Sequence, residues 1–248
     1  MPEAQIVMPE LPNWVTLLAH KFHGTPFAKY LFAWENIIFS LMIICVLSLV
    51  VYFAGRKTSL IPGRLQGAVE AFAGGVDDFI CGILGPKGRK YTPFIGTLFI
   101  YILCMNLFGI IPLMKSSTTS WSTTLALALC VFFYVQYSAF KEHGFFGYID
   151  HLMEKPRGFL AFSVVIPLLM FFLHVLAELV KPISLSLRLR SNIWGDDILL
   201  AIIAGFGLKG IPMLFFNTLL VILAGIVQAV VFCLLTTIYF ALVIPEEG

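Results

Sequence analysis

The chain has 248 residues, of which 59% are hydrophobic and only 12% are charged, and its formal net charge is +2. This composition excludes a soluble globular protein and indicates a membrane protein with several spans, because no stretch is polar enough for a separate soluble domain. We therefore predict one integral membrane domain over residues 1–248. The small, scattered positive charge argues against a nucleic-acid partner.

The N-terminal third contains one predicted span and one amphipathic segment. Residues 1–35 mix Pro, Trp, His and charged residues without periodicity, which indicates an external tail. Residues 36–54 are uncharged and long enough to cross the hydrocarbon core of a bilayer. Residues 63–84 place apolar side chains at spacings of three and four, which predicts an amphipathic helix that lies on the membrane surface or packs on its neighbours.

Two further spans are predicted at residues 92–114 and 121–140, and the first of them carries a polar side chain, Asn106, within an apolar run. Residues 145–152 repeat the amphipathic pattern in miniature. The five cysteines lack the CxxC or Cys/His spacing of a metal site. We therefore expect reduced thiols, no metal and no cofactor.

The C-terminal half contains two apolar runs that are longer than a bilayer requires. If residues 159–208 form one helix, these 50 residues measure about 75 Å, so the segment must tilt strongly, lie nearly flat or break at Pro182. Residues 211–244 predict a final tilted helix. The expected fold is an all-α membrane protein with about five transmembrane helices, the last two long and strongly tilted, plus one or two interfacial amphipathic helices.

The distribution of basic residues predicts the orientation. Nine lie on one side of the predicted spans: Arg56, Lys57, Arg64, Lys87, Arg89, Lys90, Lys141, Lys155 and Arg157. Four lie on the other: Lys21, Lys29, Lys115 and Lys209. The positive-inside rule then places the N-terminus outside and the C-terminus in the cytoplasm.

Residues 205–210 match the pattern G-x-G-x-x-G, but no strand precedes them and no βαβ unit surrounds them. A glycine-rich turn between the last two helices is the better interpretation.

Arg188 is the residue that most needs an explanation, since a cation near the bilayer centre costs at least about 3 kcal/mol on insertion scales. Helical spacing places Lys181, Ser184, Arg188 and Asn192 on one face. Arg190 and Asp197 lie nearly on a second face, where they form a hydrated pocket, compensate each other as a pair, or extend outward to the membrane surface.

Three other polar side chains are candidates for proton transfer. Gln228 shares a face of the last helix with Asn217, Val221 and either Ala224 or Gly225, and its amide could reach a partner such as Arg188. His174 and Glu178 are one turn apart on the preceding helix and could carry protons. A core histidine and an ion pair between Glu178 and Lys181 are equally good explanations.

The segment Ser184-Leu-Ser-Leu-Arg188-Leu-x-x-Asn192, with Asp197 nine residues after the arginine, resembles the signature of the a subunit of F-type ATP synthases. Other segments are similar to the same family: the Pro62-Gly63 amphipathic segment, Asn106-Leu-Phe-Gly-Ile-Ile-Pro112, and Gln228-Ala-x-x-Phe232 through Leu-Thr-Thr-Ile-Tyr239. The resemblance covers nearly the whole chain from the first span onward.

The resemblance implies a non-catalytic stator subunit that conducts protons through two aqueous half-channels beside a rotating ring of c subunits. It implies that Arg188 faces a ring carboxylate and that Ser184, Asn192, Asp197, Gln228, His174 and Glu178 serve proton translocation. Further implied partners are b-type peripheral stalk subunits and the lipid bilayer. The implied location is the inner membrane of a bacterium, with a plastid membrane as the second choice.

The chain departs from the family pattern at several positions. Arg190-Ser191 stands where relatives commonly carry an aromatic or small residue followed by Gly or Ala, so Arg190 is a possible second charge. Asp197 stands where the family often has Glu or His, and its common partner position is Val221 here. The competing interpretations are an unrelated proton-coupled transporter or channel, for which we find no internal repeat, and a purely structural membrane subunit.

Overall fold

The computed structural model describes Trp14 and residues 26–56, 63–111, 114, 116–153 and 162–243, so most of the predicted external tail lies outside the described residues. The described ranges contain six α-helices and no strand: α1 (Pro26–Gly55), α2 (Arg64–Leu84), α3 (Thr92–Phe108), α4 (Trp121–Met153), α5 (Phe162–Gly205) and α6 (Ile211–Ala241). Short 3-10 turns at Gly85–Lys90, Ser117–Thr119 and Gly207–Gly210 precede α3, α4 and α6.

Among the described residues, four helical segments are long and apolar enough to cross a membrane: Trp34–Phe53, Trp121–Glu142, Leu168–Gly205 and Ile211–Ala241. The apolar helix α3 has 17 residues and is shorter, because it ends at Phe108 rather than at residue 114 as the sequence predicts. The all-α membrane class is confirmed, whereas the number of five spans stays a prediction.

The helix α5 contains 44 residues and continues through Pro182, so the predicted alternative of a break at this proline is wrong. At 1.5 Å per residue the helix is about 66 Å long, which still exceeds the thickness of a hydrocarbon core. In contrast, α4 is interrupted at Gly144, where φ is 69°. The helical residues after Gly144 include the second predicted amphipathic segment.

The turn between α5 and α6 is built from glycine, as the sequence predicts. Gly207 has a φ of 59°, in the left-handed region that favours glycine. A Cβ atom added to Gly210 would lie 2.6 Å from the carbonyl oxygen of Ile203, so the backbone passes too closely for a side chain. The G-x-G-x-x-G match is therefore explained by chain geometry.

The buried core lies where α2 to α6 meet. It includes Ile80 of α2, Ile102 of α3, Leu189 of α5 and Phe232 of α6, all fully buried. The ring of Tyr91 stacks on that of Phe240 with centroids 4.5 Å apart, which joins the start of α3 to the end of α6. This core fixes α5 and α6 side by side, and the polar side chains discussed below lie on these two helices.

Polar contacts tie the predicted amphipathic helix to the start of α3. The Thr92 hydroxyl donates to Asp77 Oδ1 at 2.6 Å, and Arg89 Nε donates to Asp77 Oδ2 at 3.2 Å. The Thr92 hydrogen bond, with the Arg89 charge beside it, holds the pKa of Asp77 below its ordinary value. Lys90 Nζ lies 3.2 Å from Glu142 Oε1, and this hydrogen bond raises the pKa of Lys90. The Asp77 contacts connect α2 to the start of α3, and the Lys90–Glu142 contact connects the turn before α3 to the end of the apolar segment of α4.

Candidate functional site

Arg188 lies on an open apolar face of α5. Its side chain is exposed, as are those of Ile183 and Leu187 beside it, while Leu185 and Leu189 turn into the core and are fully buried. Within the described part of the chain, Arg188 makes no hydrogen bond or ion pair. Ser184 is exposed one turn earlier, so Ser184, Arg188 and Asn192 of the predicted face lie on the surface of α5, whereas Lys181 pairs with Glu178.

One turn beyond Arg188, a side-chain hydrogen bond joins α5 to α6. Asn192 Nδ2 donates to Gln228 Oε1 at 2.8 Å, so the structure pairs Gln228 with Asn192, where the sequence suggested Arg188 as a partner. Gln228 is 3% exposed, and its Nε2 is buried without a hydrogen-bond partner. Buried donors without a hydrogen-bond partner are rare in proteins.

On the second face of α5, Arg190 and Asp197 both contact Thr119, which ends the 3-10 turn before α4. Arg190 Nε donates to the Thr119 carbonyl oxygen at 3.3 Å. The Thr119 hydroxyl donates to Asp197 Oδ2 at 3.0 Å. The guanidinium Cζ of Arg190 also lies 5.0 Å from the ring centroid of Trp121, within cation–π range.

A second charged cluster surrounds Glu178, on the other side of Arg188 along α5. Glu178 Oε1 pairs with Lys181 Nζ, as the sequence suggested, and Gln136 Nε2 of α4 donates to Glu178 Oε2 at 2.9 Å. Lys181 Nζ lies 5.2 Å from the ring centroid of Tyr239 on α6. The Glu178 and Lys181 side chains are 19% and 20% exposed, so the pair is largely withdrawn from solvent and connects three helices.

His174 makes a local contact. Its Nδ1 lies 2.9 Å from the Met170 carbonyl oxygen, and because a carbonyl only accepts, Nδ1 carries the proton. The histidine lies one turn before Glu178, but its hydrogen bond goes to its own helix.

The spacing of these groups along α5 follows from helix geometry. Glu178 is ten residues before Arg188, and Asp197 is nine residues after it. At 1.5 Å per residue the two carboxylates lie about 15 Å and about 14 Å from Arg188 in opposite directions along the axis. One exposed cation is thus flanked by an acidic group on each side.

The sequence did not predict a role for the polar cluster that holds α3 against α6. Asn106 Nδ2 donates to the Gly225 carbonyl oxygen at 3.2 Å, and the Thr118 hydroxyl donates to Asn106 Oδ1 at 3.3 Å. Ser116 Oγ donates to the Met105 carbonyl oxygen at 2.9 Å. The many hydroxyl side chains in residues 116–124 could have indicated a polar cluster. Their partners could not be read from the sequence, because they lie on α1, α3 and α5.

The described residues contain no group of three or more His, Cys, Asp and Glu side chains that could hold a metal ion. The polar groups described above are amides, carboxylates, hydroxyls and cations on α4, α5, α6 and the turn before α4. Such groups can bind water and pass protons by hydrogen bonding.

Comparison with known proteins identifies the family. A family model described as ATP synthase A chain matches residues 37–241. A protein named ATP synthase subunit a from Protochlamydia amoebophila is 40% identical, with 97% of this chain and 92% of that protein covered. Subunit a of Moorella thermoacetica is 36% identical over 89% of this chain and 93% of its own length. Subunit a of Helicobacter pylori is also 36% identical, over 79% of this chain and 83% of its own length. This chain therefore belongs to the ATP synthase A chain family.

Proposed function

We propose that this chain is the membrane stator subunit of a rotary ATP synthase and conducts protons past a ring of c subunits. In this role it has no catalytic site of its own; it couples proton flow to rotation, and ATP forms elsewhere in the complex. The observation that carries the proposal is Arg188, an exposed cation on an apolar helix face with a carboxylate about 14–15 Å away on each side.

The electrostatics of Arg188 suit a moving carboxylate partner. A ring carboxylate must be neutral to pass through lipid, whereas beside a fixed guanidinium it ionises and releases its proton. Arg188 then repels protons that would cross directly between the two half-channels. Each proton that falls through 100 mV supplies about 2.3 kcal/mol, so several protons are needed for each ATP.

The flanking groups are the proposed walls of the half-channels. Asn192 and Gln228 lie next to Arg188, and the exposed Asn192, held by Gln228, is the side chain of this pair that a passing carboxylate or water would meet. Asp197 belongs to one half-channel, and Glu178 with His174 belongs to the other. Ser184 borders the ring on the face of Arg188.

The partners and location follow from the same proposal. The exposed apolar faces of α5 and α6 would meet the ring, and α1, with exposed Leu41, Leu49 and Val51, would meet lipid or b-type stalk subunits. The membrane would be the inner membrane of a bacterium, with the N-terminus outside and the C-terminus in the cytoplasm. Cysteines introduced singly into the loops and labelled from each side would test this orientation.

The decisive experiment replaces Arg188 with Ala in the whole complex and measures ATP-driven proton pumping in inverted membrane vesicles. Pumping should be lost, and Arg64→Ala, which removes an exposed arginine at the start of α2, is the matched control. Retained pumping in Arg188→Ala would refute the proposal and favour a structural subunit. Gradients that collapse with a sodium ionophore but not with a protonophore would make the coupling ion sodium.

An unrelated transporter or channel is the second candidate, and the family match does not favour it. It would predict transport by the isolated chain, without a ring. Under our proposal, the purified chain alone, reconstituted into liposomes, should give no coupled transport. Transport by the chain alone would favour the second candidate.

A further inference from the structure

Arg190 lies two residues after Arg188, but the two arginines have different surroundings. Two helical residues are separated by about 200° around the axis, so their side chains leave the helix on nearly opposite sides. Arg188 is exposed, whereas Arg190 is half-buried against the beginning of α4. There its Nε donates to the Thr119 carbonyl oxygen at 3.3 Å, and its Cζ lies 5.0 Å from the Trp121 ring centroid.

The residue that accepts from Arg190 also holds Asp197. The Thr119 hydroxyl donates to Asp197 Oδ2 at 3.0 Å, seven residues or about two turns beyond Arg190 on α5. The same turn is attached to α1, because Ser117 Oγ donates to the Asn36 carbonyl oxygen at 2.7 Å. Arg190 therefore fixes the position of the hydroxyl that orients the Asp197 carboxylate.

We propose that Arg190 is a positioning residue of the proton path: it binds the Thr119 carbonyl and the Trp121 ring and so keeps the Thr119 hydroxyl on the Asp197 carboxylate. It is not a second cation facing the ring. This inference rests on the proposed function, because it assumes that Asp197 carries protons. It explains how this chain holds a second arginine next to Arg188 without a second charge on the open face of α5.

Two physical arguments support this role. A π face and a carbonyl oxygen offset part of the guanidinium charge without consuming a carboxylate. Proton transfer needs heavy atoms within hydrogen-bond reach, so a carboxylate whose neighbour is displaced loses activity steeply. If the contact of Arg190 with Trp121 acts by positioning Thr119, proton pumping should survive a substitution of Trp121 that keeps an aromatic ring. Pumping should be reduced by a substitution that removes the ring.

The test uses the whole complex in inverted vesicles, with pumping expressed per assembled complex. Trp121→Leu and Arg190→Gln should each reduce the specific pumping rate about tenfold, while Trp121→Phe keeps most of it because the π face remains. Tyr52→Leu, which removes the ring 5.9 Å from the Arg56 guanidinium at the far end of α1, is the matched control and should pump at the parental rate.

A double substitution and a leak measurement separate the alternatives. The complex with both Arg190→Gln and Thr119→Val should pump no more slowly than the complex with Thr119→Val alone. Both substitutions act through the same hydrogen bond, from the Thr119 hydroxyl to Asp197. A parental specific rate in Trp121→Leu, with passive proton leak in Arg190→Gln, would overturn the assignment in favour of a second ring-facing cation. A purely structural role would lower the amount of assembled complex and leave its specific rate unchanged, which also overturns the assignment.

The control Arg188→Gln separates this inference from the proposed function. If Arg188→Gln still pumps, both fail. If Arg188→Gln stops pumping and Trp121→Leu does not change the specific rate, only the role of Arg190 is wrong.

Discussion

Replacing Gln228 with Leu should slow proton pumping at least about tenfold while leaving the protein about as stable as before. The substitution removes the acceptor of the 2.8 Å bond from Asn192, which costs about 0.5–1.5 kcal/mol. It also removes a buried donor, Gln228 Nε2, that has no partner, and this recovers about 1–3 kcal/mol. Because Asn192 is exposed, its amide is not stranded. The net change in folding free energy is expected to be about zero, or about 1 kcal/mol in favour of the folded state.

Two measurements on the same purified complex test this expectation. The melting temperature should stay within about 2–4 °C of the parental value, the shift that 1 kcal/mol produces in a chain of this size. ATP-driven pumping by the reconstituted complex should fall at least about tenfold. A fall in melting temperature beyond about 6 °C, or pumping at the parental rate, would show that Gln228 is a packing residue and refute the reasoning.

The matched control is Asn106→Leu on α3. Both functional atoms of this amide are satisfied, Nδ2 by the Gly225 carbonyl oxygen and Oδ1 by the Thr118 hydroxyl. Its loss should therefore lower the stability by about 1–2 kcal/mol, in contrast to Gln228→Leu. Equal melting temperatures for the two variants would contradict the distinction between a satisfied and an orphaned amide.

Three further predictions concern packing and charge. Gly225→Val should separate α6 from α3 and reduce assembly of the complex. Even a Cβ atom at this position would lie 3.2 Å from the Cβ atom of Asn106 on α3. Normal assembly on native gels would contradict this prediction. Thr92→Val should lower the melting temperature most at neutral pH, since the lowered pKa of Asp77 contributes stability that is present above its unfolded value of 3.8 and lost as pH falls through the folded pKa. A loss from Thr92→Val that stays constant down to pH 3 would contradict it. Lys181→Met should destabilise the protein by about 1–3 kcal/mol, because it leaves Glu178 without its cation. Adding Glu178→Gln should restore part of the lost melting temperature. No recovery in the double variant would exclude the ion pair as the cause.

The sequence alone determined the class of the protein and the position of most helices. Residues 63–84 predict a helix by periodicity, and the structure has α2 at Arg64–Leu84; residues 121–140 predict a span, and α4 begins at Trp121. The exposed face that carries Ser184 and Arg188 also follows from spacing alone. These properties are local, because hydrophobic periodicity and turn residues act over a few neighbouring positions.

Only the tertiary structure decided which polar groups meet. Gln228 pairs with Asn192 and not with Arg188, and Arg190 and Asp197 meet on Thr119. These partners lie between 36 and 78 residues apart in the chain, so no local pattern could pair them. The cost of an unpaired polar group in an apolar interior forces each one to find a partner, but packing of the helices determines which partner is within reach.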